Sequence, residues 1–159
     1  MTDLLALLQE FHEDKLTMLL RHEAGARLVG QYDFNNTYQY IINREEMQLS
    51  WISTAIADLG GSVADLPGSA RTPAGGDAAR AVLQEDARDA QAFVDRWGPR
   101  VEAMTNARHR GMLRVILGET LEQKRFFEQA LAGRTDLLGK RAEQLGPAIG
   151  EVLPTRWIE

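Results

Sequence analysis

NNTYQYIINREEMQLSWISTAIADL, residues 35–59, places Ile41, Ile52, Ala55 and Leu59 at helical spacing, with Glu45 and Gln48 standing in the gap between them. The intervals alternate between four and three residues, so all six positions share one stripe of an α-helix. A carboxylate and an amide therefore occupy the centre of a face that must be buried. Residues 115–133, VILGETLEQKRFFEQALAG, extend a second seam of the same form, Leu113, Ile116, Thr120, Gln123, Phe127 and Ala130. Gln123 stands there where Gln48 stands in the first, and each glutamine is followed three residues on by an aromatic, Trp51 and Phe126.

Two more helices are expected around these. The first runs from a cap at Thr2 to about Val29 and ends at Gly30, with Leu5, Leu8, Leu16, Leu19, Ala26 and Val29 as its stripe and His12 and Glu23 close to that line. The short connection through Gln31, Tyr32 and Asp33 turns the next helix back antiparallel. That second helix closes at Gly60 and Gly61. Residues 62–76, SVADLPGSARTPAGG, carry prolines and glycines without helical period and form a linker. At about 3.3 Å per residue the linker spans roughly 50 Å, more than the length of a bundle helix at 1.5 Å per residue. A simple up-down-up-down bundle needs only a few residues there.

The third helix starts near Asp77 with the seam Val82, Asp86, Asp89, Phe93, Trp97, Val101 and Met104, and is expected to continue through Gly98 and Pro99 with a kink. Thr105 and Asn106 make the next turn, and the fourth helix runs from about Ala107 to Ala132 before Gly133.

A chain of 159 residues, 44% hydrophobic and 26% charged, is one ordinary globular domain. Its net charge of -5 and scattered basic residues argue against nucleic acid as a partner. The absence of cysteine removes disulfides, thiolate zinc sites and iron-sulfur clusters. No apolar run is long enough to cross a bilayer and no leader is recognised, so a cytoplasmic location is the expectation. No nucleophile triad, phosphate loop or dinucleotide fingerprint is present.

Over residues 2–133 the pattern resembles the ferritin-like superfamily, whose second and fourth helices each carry Glu-x-x-His. The resemblance implies an all-α, ferritin-like four-helix bundle over 1–133, with a long crossover between the second and third helices. Segment 134–159 would then be an extension packed on the bundle or on a dimer partner. It also implies where a di-iron centre would lie, with candidate or vestigial metal ligands His12, Glu45, Gln48, Asp86, Asp89 and Gln123. Glu13 is nearest in type to the carboxylate expected from the first helix, while Leu16 or Leu19 would leave its place apolar. The chain departs from the family motif: Glu45 is followed by Gln48 instead of histidine, and Thr120 and Gln123 replace both members of the second pair.

A neutral amide is a poorer ligand than imidazole, so two readings follow. In one, the centre is degenerate, Gln48 and Gln123 face each other in a hydrogen-bonded network, and the protein is a non-catalytic binding or structural homodimer without a cofactor. In the other, iron or another divalent metal binds a remodelled set and the protein handles iron or acts as an oxidase. His22 and His109 are expected at the surface or at helix caps.

Overall fold

The structure is a computed structural model that describes residues 3–68, 70–72, 76–134 and 137. Four helices make up the regular structure of the described residues: α1 (Leu4–Ala26), α2 (Tyr32–Asp58), α3 (Ala78–Glu102) and α4 (Ala107–Leu131). Each begins where a side chain satisfies a first-turn amide. Asp3 accepts from the Leu5 amide, Gln31 from Phe34, Asp77 from Arg80 and Asn106 from His109. Thr2 lies outside the described residues, and Asp3, beside it, is the cap. α2 starts earlier than its seam suggests because the Gln31 amide oxygen closes its first turn. Its C-terminus ends at Gly60, and that of α4 at Gly133, whose φ angles of +82° and +90° suit glycine alone among ordinary residues. α3 continues through Pro99 to Glu102, as expected.

Antiparallel contacts arrange the helices. Along α1 and α3, Glu10 forks with Arg100 while Arg21 meets Asp89, so the start of one helix lies beside the end of the other. Between α2 and α4, Tyr40 packs on Phe126 and Arg44 pairs with Glu119. α1 also adjoins α2, and α3 adjoins α4, whereas the pairs α2/α3 and α1/α4 make no close backbone approach and sit on the diagonals.

The core is two apolar clusters. At one end Phe11 meets Phe93 and Trp97 edge-on at centroid distances of 5.3 and 4.9 Å, with Leu8, Ile52, Ile56 and Leu113 around them. The Trp97 ring nitrogen donates to Asp14 at 2.8 Å, and Arg100 stacks on its face at 4.1 Å. At the other end Val29, Tyr38, Ile41, Val82 and Phe127 pack together with Leu137. Apart from Arg134 and Leu137, segment 134–159 lies outside the described residues.

The seam of α4 is buried at all six expected positions, and that of α2 at five, Leu59 being exposed beyond the last turn. In α3, Ala90 takes the buried place expected of Asp89. Of the stripe expected for α1, Leu8, Leu19, Ala26 and Val29 are buried, whereas Leu5 and Leu16 are only partly buried; Phe11, Lys15, Met18 and His22 also face inward and widen the buried face.

Candidate functional site

Between the two apolar clusters lies a polar layer. Glu45 on α2 is fully buried, and both carboxylate oxygens face cationic groups from α1: Oε2 lies 3.2 Å from the Lys15 ammonium and Oε1 2.6 Å from His22 Nδ1. Lys15 spans the diagonal to α4, donating to the Thr120 hydroxyl at 3.3 Å, and that hydroxyl donates in turn to the Ile116 carbonyl at 2.8 Å. A lysine is almost never buried without a partner, and this one has an anion and a neutral acceptor.

The charges set one another. Burial by itself pushes the His22 imidazole down, but the Glu45 carboxylate outweighs it and holds the imidazole above its ordinary range. Burial raises the Glu45 carboxyl, yet the His22 and Lys15 charges and hydrogen bonds bring it below its ordinary range. A carboxylate only accepts, so His22 Nδ1 carries the proton that points at Glu45. The imidazole ring also packs on Phe127, with centroids 5.5 Å apart.

A second polar group crosses the other diagonal. The Tyr38 hydroxyl on α2 donates at 2.5 Å to Asp86 on α3, which is 1% exposed, and Arg71 from the 59–77 connection closes on the same carboxylate at 2.8 Å. Burial and the adjoining Asp86 carboxylate lift the Tyr38 phenol well above its usual range. Both diagonals of the bundle, which the backbones leave open, are thus bridged by side-chain pairs.

The residues singled out from the sequence fall into separate contact groups. Glu45 joins Lys15 and His22; Asp86 joins Tyr38 and Arg71; Asp89 pairs with Arg21 at the surface. His12 is buried on α1, but its Nε2 meets Ser53 Oγ at 3.2 Å, and burial pushes its imidazole down. Gln48 does not pair with Gln123: its amide donates to Glu119 at 2.9 Å, a carboxylate that Arg44 also grips through two nitrogens. The amide oxygens of Gln48 and Gln123 are buried without a hydrogen-bond partner. Among the described residues, no group of three or more histidine and carboxylate side chains is placed to hold a metal ion.

The donor set does not fit a two-metal centre. The ammonium of Lys15 sits against Glu45, the buried carboxylate on which such a centre would depend, and a cation placed there would be repelled by it.

One expectation about the histidines is corrected. His22 is not a surface residue, being 1% exposed and in the middle of the layer. Lys15, which shares the Glu45 carboxylate with it, did not emerge from the sequence at all, although Phe11, Lys15, Met18 and His22 step by four, three and four residues. That run is itself a helical seam, and it becomes visible once charged residues are allowed on it.

Among the described residues, no helix is long and apolar enough to cross a membrane. No protein-family model matches this chain, and neither the curated proteins nor the solved structures contain a significant match.

Proposed function

We propose that this chain is a ferritin-like bundle whose metal-binding layer has been converted into a buried ion-pair layer, and that it serves as a non-catalytic binding or structural protein. The observation that carries the reading is the pairing of Glu45 with Lys15 and His22 where the resemblance expects a metal ligand. A covalently attached ammonium supplies the positive charge that the carboxylate needs in a low-dielectric interior. The ferritin-like topology is supported by direction. Because α1 is antiparallel to both α2 and α3, the latter two run parallel, which supports a 59–77 connection that returns along the bundle. Two contacts lie on that route: Gln9 near the start of α1 donates to the Ser62 carbonyl, and Arg71 donates to the Arg21 carbonyl near its end.

The protein pairs with a second copy of itself in this reading. Exposed apolar side chains on neighbouring parts of α2 and α4, Met47 at 46% and Val115 at 50%, support that arrangement. Sedimentation equilibrium tests it: a monomer at all concentrations, or a dimer untouched by Val115→Glu, removes it.

The second reading is a remodelled metal site that handles iron. It is favoured by the partnerless amide oxygens of Gln48 and Gln123, since neutral carbonyl oxygens suit hard cations. One experiment separates the two. Protein purified without chelator is assayed for metal and then titrated with iron(II) under nitrogen and in air. The ion-pair reading expects substoichiometric metal and no oxygen-dependent absorbance. Stoichiometric metal that disappears in Glu45→Ala overturns it and establishes the second.

A further inference from the structure

The guanidinium of Arg71 occupies a receptacle that the bundle builds for it. Its Nη2 lies 2.8 Å from Asp86 Oδ1 and 3.2 Å from Glu85 Oε1, and its Nη1 donates to Asp86 Oδ2 at 3.2 Å and to the Arg21 carbonyl at 3.0 Å. Nη2 also meets the Val82 carbonyl at 3.5 Å. The fourth wall is an absence: a Cβ on Gly25 would stand 2.5 Å from Nη1. The Arg71 side chain is 5% exposed and Asp86 is 1% exposed.

The chemistry of the receptacle selects a planar, forked cation. Two carboxylates and main-chain carbonyls present acceptors to the four N–H bonds of the terminal nitrogens, a set that a compact ammonium cannot meet in one plane. Arg71 Nε is buried and makes no hydrogen bond, so recognition does not depend on the stem that joins the guanidinium to the chain. We propose that the pocket formed by Asp86, Glu85, Gly25 and the Arg21 carbonyl is a guanidinium-binding site. Its resident occupant is the chain's own Arg71, and a small alkylguanidinium replaces that group when it is removed. The inference stands apart from the reading of the Glu45 layer.

The test uses Arg71→Ala with methylguanidinium chloride at low-millimolar concentration, where a free ligand matches the effective concentration of a tethered one. The variant should unfold at a lower temperature than the parent, and methylguanidinium should raise its midpoint saturably. Methylammonium chloride and sodium chloride should not, and the parent protein, already occupied, should not respond. Adding Asp86→Asn to Arg71→Ala should abolish the response. If Arg71→Ala is unfolded without ligand, the same comparison is read as recovery of helical circular dichroism. Limited trypsin digestion gives an independent readout: cleavage after Arg71 should be slow in the parent and at least tenfold faster in Gly25→Ala, whose new methyl would stand 2.5 Å from Nη1 and push the guanidinium aside. Two results overturn the proposal. One is an Arg71→Ala response no greater than that to salt, or one that survives Asp86→Asn. The other is unchanged cleavage in Gly25→Ala.

Discussion

The ammonium of Lys15 lies 3.2 Å from Glu45 Oε2, and both side chains are wholly closed to solvent. The pair joins α1 to α2 at mid-height, and through Thr120 it reaches α4 as well. Removing the ammonium leaves the buried Glu45 carboxylate with only the His22 imidazole to balance it in a poorly polarisable interior, whereas removing the carboxylate as well does not. Lys15→Met should therefore cost about 3–5 kcal/mol in urea unfolding, and Lys15→Met with Glu45→Gln should recover much of the loss. A double variant no more stable than the single one would remove the ion pair from the account.

Stability should depend on pH through His22 and Glu45. The folded imidazole titrates above its unfolded value of 6.5, so its contribution is complete below 6.5 and disappears as pH rises through the higher folded value. The folded Glu45 carboxyl titrates below its unfolded value of 4.5, so its contribution is complete above 4.5 and is lost as pH falls through the lower folded value. Both contributions are whole between those two unfolded values. The stability difference between the parent and His22→Gln should be largest there and should shrink on the alkaline side. A difference that grows with alkali would contradict the assignment.

Gln48 and Gln123 should behave independently. Gln48 donates to Glu119, which keeps its fork to Arg44 when that donor is lost, and the Gln123 amide oxygen has no partner to lose. Gln48→Leu should cost about 0.5–1.5 kcal/mol and Gln123→Leu less, with a coupling energy under about 0.5 kcal/mol in a double-mutant cycle. A coupling above about 1 kcal/mol would restore the facing-amide arrangement expected from the sequence.

Gly118 lies inside α4, and a Cβ there would meet nothing within 4 Å. Its helical conformation needs no glycine, so Gly118→Ala should stabilise by about 0.5–1 kcal/mol, read as a rise in thermal midpoint. Gly61→Ala should do the opposite, because its Cβ would stand 2.5 Å from Leu5 Cδ1 and 3.2 Å from Cγ2 of Ile56, a stiff, fully buried side chain with no room to move aside.

Local chemistry was legible in residue order. The caps at Asp77 and Asn106, the glycine stops at Gly60 and Gly133, and the buried faces of α2 and α4 all depend on neighbours within a few positions. Periodicity and capping report such neighbours directly. Glu45 and Asp86 were recognisable as buried for the same reason: an acidic residue on an apolar seam has nowhere else to point.

Their partners were decided by how the helices rotate against one another. A stripe drawn through leucines left Lys15 and His22 off the buried face of α1, and only packing against α2 reveals that those two face Glu45. Tyr38 meets Asp86 across a diagonal, and Arg71 arrives from a connection with no helical period. Such meetings depend on interhelical rotation and on the reach of side chains several ångströms long. A single chain's periodicity encodes which face is buried, but not which charge on the next helix will stand opposite it.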